Sequence, residues 1–451
     1  MQRKIQLTLA IFLCCASMTW AQQDSIYSLK ECIETGIMNN LVLQSKGQEI
    51  QKSKFEITEY RTRLFPKIQA FGNFTNYIDK PTSVSLSSQV GSSPSANQPY
   101  MQSQTMRYNT SGGIQFSLPI YNQTLYTGIG IAKRMQDIQK MNYEKAKEDL
   151  TVEISQIYYL AQSTLEGMRL AQDNIQRLSE LREITQAAYD NGVAMEVDVQ
   201  RVDINLENAK VQYDNSISMY QQQLNMLRYV MGVNPDISFS VERFNMNFKE
   251  KNTVMGGLSN DLYEIKILQA KQDVLKRQGQ VIKQGYIPSL SFVSQLGYTK
   301  YANHFNRIFH STDTPKWYNS FYWGIALNIP IFDGFEKQAK LRKNKVEAYQ
   351  NKLLLQDTHE NLQTQYDNAC NDYLNNERNF IKQRDNYLLA EKVYTVTFEK
   401  YREGIASMTE LLQDEISMSS AQNNYVNAHY SYKVSELSLL KLGHKLDSLT
   451  E

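Results

Sequence analysis

Two long tracts of the chain carry apolar residues at helical spacing. Between positions 120 and 234, Ile131, Met135, Ile138, Ala146, Leu150, Ile154, Ile157, Ala161, Leu165, Met168, Ala171, Ile175 and Leu178 recur mostly three or four apart. That is the stripe of an amphipathic or coiled-coil helix. After Pro330, the residues Leu341, Val346, Leu353, Leu355, Leu362, Tyr366, Ala369, Tyr373, Phe380, Tyr387, Val393 and Phe398 keep a looser version. Neither tract contains a proline, a residue that costs about 3 kcal/mol inside a helix. Each tract runs unbroken to a glycine, Gly192 or Gly404, and then resumes as a second helix. The helices predicted are 122–189 and 196–230 in the first tract, 334–401 and 408–442 in the second.

Around the other prolines the period falls to two, the mark of strands with unlike faces. Ile114, Phe116 and Leu118 alternate with Gln115 and Ser117 up to Pro119; Phe321, Trp323, Ile325, Leu327 and Ile329 alternate with smaller or more polar residues up to Pro330. Ile68, Ala70 and Phe74 follow Pro66 in the same fashion, and Leu290, Phe292, Leu296 and Tyr298 follow Pro288. Four strands are expected, at about 66–78, 108–120, 288–301 and 318–331, paired as two hairpins. One is closed by an uncharged Ser-rich loop from Thr82 to Tyr100, the other by the loop from Ala302 to Lys316.

The chain repeats itself. Ser117-Leu118-Pro119-Ile120-Tyr121-Asn122 matches Asn328-Ile329-Pro330-Ile331-Phe332-Asp333, and the turn beginning at Tyr189 matches the one beginning at Tyr401. Each half reads helix, strand, strand, very long helix, turn, helix. The division expected is a leader over 1–21, repeats over 22–233 and 257–443 joined by a linker at 234–256, and a tail over 444–451.

Lengths agree with this plan. A first helix from about Ser28 to Leu64 and the helix after Gly192 together span nearly the same number of residues as the ~68-residue helix between them, ~100 Å at the usual rise. An antiparallel rod is expected, with strands at one end and both glycine turns at the other. About 11 tilted residues cross the apolar band of an outer-membrane barrel, and aromatics gather at the strand ends: Phe65, Tyr77, Tyr108, Tyr121, Tyr286, Tyr301, Trp317, Tyr318 and Phe332. Four strands cannot close a barrel, and lipid does not tolerate an open edge. Closure therefore needs sister chains: two would give eight strands, and three would give twelve and a lumen.

Composition changes the picture only by exclusion. Arg3 and Lys4, the apolar run Ile5–Leu13 and Thr19-Trp20-Ala21 make a secretory leader. Leu13 stands before Cys14 where lipid attachment would need a small residue. Without Arg3 and Lys4 the chain has 46 basic against 47 acidic residues, so nothing suggests nucleic acid. The 29 tyrosines and many Gln and Asn do not suit the apolar core of a compact enzyme. Cys32 and Cys370 are too few for a disulfide framework. His304 and His310 flank one loop without forming a metal motif. No nucleophile–base set or phosphate loop is present, so neither an enzyme nor a cofactor is expected.

The doubled order of these motifs resembles the TolC family of outer-membrane efflux channels. Its carriers are Ser28-Leu29-Lys30-Glu31, Arg63-Leu64-Phe65-Pro66, the two return-strand motifs at Pro119 and Pro330, and the two turn segments, Tyr189–Gln200 and Tyr401–Gln413. Asn40-Leu41 stands where the family usually has Asn-Pro. The resemblance implies an α+β membrane protein of duplicated fold: a long antiparallel α-helical tunnel with four strands per chain, twelve in a trimeric barrel. It implies a homotrimer in the outer membrane of a Gram-negative bacterium, extending into the periplasm. There it would meet a periplasmic adaptor (a membrane fusion protein) attached to an inner-membrane RND or ABC pump. Conduction would be passive, and outer-membrane lipid the only other partner.

The resemblance also implies roles at the turns. Gly192, Val193, Ala194 and Gly404, Ile405, Ala406 would form the adaptor-docking tips; simple packing of a tight turn is the other reading. Asp198 and Glu410 match the family's constriction acids, with Asp414 beside Gln413 where a further acid is usual. Ala406 replaces a basic partner. Acids in a first helical turn also suit the helix dipole by themselves. Tyr189 and Tyr401 would hydrogen-bond across a closed tip. An exit channel for type I protein secretion is an alternative within the family. A periplasmic coiled-coil adaptor or structural protein is an alternative outside it, and leaves the four strands unexplained.

Overall fold

The computed structural model describes residues 25–80, 82–85, 100–103, 106–244, 256–309 and 316–450. The leader and His310 lie outside these residues. Two compact units emerge, one of residues 50–138 and 269–353, the other of 1–49, 139–268 and 354–451. The elements in chain order are β1 (Ser25–Tyr27), α1 (Leu29–Asn39), α2 (Leu41–Thr62), β2 (Lys67–Asn76), β3 (Thr82–Ser85), β4 (Tyr100–Ser103), β5 (Tyr108–Tyr121), α3 (Gln123–Asp190), α4 (Glu196–Met231), β6 (Phe239–Val241), α5 (Tyr263–Gln284), β7 (Ser289–Ala302), α6 (Asn306–Phe309), β8 (Tyr318–Asn328), α7 (Glu336–Arg402) and α8 (Met408–Leu442). No helix among the described residues is long and apolar enough to cross a membrane.

The first unit is built on one antiparallel sheet in the order β2-β5-β7-β8. Its register sorts the side chains. Ile68 lies opposite Phe116, Phe116 opposite Ser294 and Ser294 opposite Trp323; Ile114 lies opposite Leu296, and Leu296 opposite Phe321. Paired residues share a face, so Ile68, Ile114, Phe116, Leu118, Phe292, Leu296, Phe321, Trp323, Ile325 and Leu327 form one apolar face. The other face holds Lys67, Gln69, Asn73, Ser111, Gln115, Ser117, Gln295 and Tyr322 together with Phe71 and Val293, with the Tyr322 hydroxyl donating to Gln295 Oε1 at 3.0 Å. Pro119 sits inside β5, where a register irregularity follows it. β2 stops pairing at Lys67–Ser117, so the missing Pro119 N–H deprives no β2 carbonyl. Pro66 and Pro288 immediately precede β2 and β7, and Pro330 follows β8, which ends at Asn328, short of the expected 331.

Polar side chains join the helices of this unit. Thr127 Oγ1 donates to Gln284 Oε1 at 2.6 Å, Asn351 Nδ2 to Gln272 Oε1 at 2.8 Å, and buried Asn344 Nδ2 to the Leu275 carbonyl at 3.1 Å.

The other unit holds the apolar cores. Two heptad ladders dominate it. On α7, Tyr366, Tyr373, Phe380, Tyr387, Tyr394 and Tyr401 recur every seventh residue; on α8, Leu411, Met418, Tyr425, Tyr432 and Leu439 do the same. Strict seven-residue spacing keeps one seam facing a partner helix. The rings interleave as Tyr373, Tyr432, Phe380, Tyr425, Tyr387, with successive centroids 5.6, 5.6, 5.7 and 5.7 Å apart. The second α8 seam is polar: Glu415, Gln422 and His429, also seven apart, are all buried.

Three corrections to the sequence reading concern local structure. The helix expected from Ser28 to Leu64 is broken at Asn40. Ser28 and Glu31 do form a capping box at its start. The Asn40 side chain then accepts from Leu43 N at 2.9 Å and donates to the Val230 carbonyl at 2.7 Å, so it caps a new helix and ties it to α4. The loop expected from Thr82 to Tyr100 contains a paired hairpin stem, β3 with β4. A short parallel pair, β1 with β6, had no counterpart in the expectation. Tyr158, 1% exposed, bridges it: its hydroxyl donates to Tyr27 O and accepts from Glu242 N, both at 3.2 Å.

Candidate functional site

The two glycine turns have one geometry. Gly192 and Gly404 have φ of +76° and +75°. In the first turn Gly192 N donates to Tyr189 O and Val193 N to Ala188 O, both at 2.8 Å; in the second Gly404 N donates to Tyr401 O at 2.9 Å and Ile405 N to Lys400 O at 2.8 Å. This is a Schellman closure, which places glycine in the left-handed conformation. Ala194 N and Ala406 N share the same acceptors, each at 3.2 Å. The next helix starts differently in the two copies: Ser407 Oγ accepts from Glu410 N at 3.2 Å, whereas Met195 makes no side-chain cap.

Both turns emerge from one packed cluster. Leu178 and Leu181 of α3, Val202 and Leu206 of α4, Tyr394 of α7 and Met408, Leu411 and Met418 of α8 are buried together. Beyond it Val193 is 84% exposed and Ile405 71%. Two branched apolar side chains are thus presented to solvent on turns closed by backbone hydrogen bonds.

The acids are distributed unevenly. Asp198 is half-buried and ion-paired with Arg201 at 3.3 Å. Glu410 is exposed, Asp414 half-buried and Gln413 exposed. Asp198 and Glu410 both lie in first helical turns, where the N-terminal dipole favours them. Within the chain, Tyr401 does not pair with Tyr189. Its hydroxyl lies 3.2 Å from Thr185 Oγ1 of α3, while Tyr189 is 40% exposed.

The polar seam is the part sequence reasoning did not single out. Asn174 Nδ2 donates to Glu415 Oε1 at 2.8 Å, and burial holds the Glu415 carboxyl above its ordinary range. His429 packs on Phe244, ring centroids 3.7 Å apart, with Nδ1 3.4 Å from Ser163 Oγ. Burial pushes its pKa down to about 3, with Lys433 adding to the shift, so it is neutral at physiological pH. The seven-residue spacing of these three polar residues was the available signal. Cys32 and Cys370 are free thiols, and the described residues contain no grouping of three or more metal-ligating side chains.

A family model described as "Outer membrane efflux protein" matches residues 33–233 and 264–443. The chain belongs to the outer membrane efflux protein family. This outer membrane efflux protein is therefore a channel-family member of the outer membrane, extending into the periplasm, and not an enzyme. It is 20% identical over 440 residues to the probable efflux pump outer membrane protein TtgC of Pseudomonas putida, covering 94% of this chain and 84% of that protein. Its fold matches CusC, whose structure concerns folding and transmembrane channel formation, at a TM-score of 0.72 and 14% identity, covering 94% of this chain and 93% of CusC. It also matches the CmeC outer membrane channel of Campylobacter jejuni at a TM-score of 0.70 and 16% identity, covering 95% and 91% of the two chains.

Proposed function

We propose that three copies of this efflux protein close a twelve-stranded barrel and serve as the passive exit duct of a tripartite pump. The observation that carries the reading is the β2-β5-β7-β8 sheet: one apolar face, one polar face, and edges β2 and β8 that no other strand of the described chain covers. A sheet with unsatisfied edges and exposed Phe321, Trp323, Ile325 and Leu327, each at least 60% exposed in one chain, is not a finished structure in water or in lipid. Closing β8 of one copy onto β2 of the next satisfies both edges, turns the apolar face to lipid and leaves the polar face lining a lumen. The two repeats, 22–233 and 257–443 with their linker at 234–256, supply alternate segments of that duct.

In this reading Gly192–Ala194 and Gly404–Ala406 receive the hairpins of a periplasmic adaptor bound to an RND or ABC inner-membrane pump. The exposed Val193 and Ile405 are the anchoring side chains. Asp198, Glu410 and Asp414 line the periplasmic constriction, with Tyr189, Tyr401 and Gln413 as its polar and aromatic neighbours. Substrate choice lies with the pump, since the duct has only to conduct.

Ion selectivity tests the constriction. Rings of carboxylates at a narrow pore favour cations. Asp198→Ala combined with Glu410→Ala is expected to lower the cation-to-anion permeability ratio in single-channel recordings, by severalfold at low salt, where screening is weak. Unaltered reversal potentials in the double variant would remove these acids from the pore.

A further inference from the structure

The hairpin ends of the sheet carry a collar that conduction does not use. Residues 303–309 fold back over the apolar face. Phe305 meets Tyr108 edge-on at 5.8 Å and Phe74 at 6.0 Å, and Phe74 stacks on Tyr108 at 6.1 Å. Beneath the fold-back Ala302, Ile308 and Lys300 are buried; Lys300, 4% exposed, donates through Nζ to the Ile308 carbonyl at 2.9 Å and lies 5.8 Å from the Trp317 ring. Asn303 fastens the loop, its Oδ1 accepting from Lys80 Nζ at 3.1 Å and from Arg107 N at 3.3 Å.

Charge on this collar is one-sided. Lys80, Arg107, Arg307 and Lys316 are exposed beside half-exposed Phe74, Phe305 and Trp317, with Lys300 below them. Asp79 is the single acid in the described stretches 77–80, 106–110, 300–309 and 316–318, and none of the five cations has a carboxylate partner among the described residues. Rings of this kind mark a membrane–water boundary, but a boundary alone does not call for five cations beside a single acid in the described stretches. Arg guanidinium forks and Lys ammonium groups above an apolar wall fit a ligand whose phosphates sit directly on acyl chains.

We propose that this collar binds the phosphate-bearing glycolipid of the outer leaflet. Its phosphates lie among Lys80, Arg107 and Arg307, and its acyl chains run down the apolar face past Phe74 and Leu296. The proposal rests on the reading of that face as lipid-facing.

The test uses the full trimer in nanodiscs, with three probes added separately: bis-phosphorylated lipid A, enzymatically dephosphorylated lipid A, and phosphatidylglycerol. Bound lipid is counted by native mass spectrometry. Arg107→Gln with Arg307→Gln is expected to weaken bis-phosphorylated lipid A about 30-fold, the factor two surface cations supply at an anionic leaflet. Binding of dephosphorylated lipid A should be unchanged, that of phosphatidylglycerol, with its single phosphate, should fall much less, and Lys67→Gln, at the opposite end of the sheet on the polar face, should change nothing. Wild-type protein that takes the phosphorylated and dephosphorylated forms equally overturns the collar site while leaving the channel intact. Equal losses for lipid A and phosphatidylglycerol overturn it as well, showing a generic anionic surface. Protein that enters no nanodisc overturns the lipid-facing reading beneath it, and the collar with it.

Discussion

Gly113→Val is expected to abolish assembly of the duct while leaving the helical unit folded. Gly113 sits in β5 between Phe71 of β2 and Gly297 of β7. A Cβ there would press on the Leu296 carbonyl oxygen and stand 2.8 Å from Gly297 Cα. Both are backbone atoms of the neighbouring strand, so no rotamer change relieves the clash. Overpacking costs about 1–3 kcal/mol per copy, and an assembly of three bears it three times. Native electrophoresis should show single chains, with the helical circular dichroism retained. Gly324→Ala is the control, because its Cβ meets nothing within 4 Å; that variant should assemble normally. Normal trimers from Gly113→Val would mean that β5 and β7 do not pair as described.

Phe380→Ala should cause the largest loss of stability in the helical unit. Phe380 is 2% exposed and is the middle ring of the five-ring ladder, flanked by Tyr425 and Tyr432, with Phe244 edge-on at 6.3 Å. Removing it deletes a fully buried aromatic and leaves a cavity between two helices that cannot close without breaking their register. Phe-to-Ala changes in cores cost about 3–5 kcal/mol, which thermal unfolding followed at a helical wavelength would register. Tyr373→Phe, which keeps the ring and loses only the hydroxyl contacts of 3.4 Å to Tyr432 and 3.3 Å to Glu377 Oε1, should cost about 1–2 kcal/mol. Equal effects from the two changes would mean that ring stacking is not what joins α7 to α8.

The long elements were legible in the sequence because one simple force writes each of them. Alternation around Pro66, Pro119, Pro288 and Pro330 follows from a sheet with two unlike faces, and the proline-free tracts follow from the cost of proline in helices. Gly192 and Gly404 were legible because a Schellman turn needs a positive φ. What could not be read was tertiary in origin. Asn40 breaks a helix because its amide reaches Val230, 190 residues away. The β1–β6 pair joins two three-residue segments too short to show a period. The α7 ladder was diluted by the Gln and Asn around it, so that Val393 and Phe398 stood in the expected stripe where Tyr394 and Tyr401 belong to the repeat. At the turns, residue types were readable but long-range partners were not: nothing local says that Tyr401 meets Thr185, whereas the Asp198–Arg201 pair, three residues apart on one helix, follows from helical spacing.

The central claim is that β2 and β8 are completed by neighbouring copies, and cross-linking those edges tests it most directly. Single cysteines would be placed on the polar face, one at Gln69 or Asn73 of β2 and one at Ser320 or Tyr322 of β8, with Cys32 and Cys370 replaced by Ala. Oxidation of the membrane-embedded protein should yield a ladder that ends at three chains, in at least one pairing register, and the purified particle should have the mass of three chains. Disulfides confined within single chains, or a monodisperse single chain in detergent-free buffer, would contradict the account.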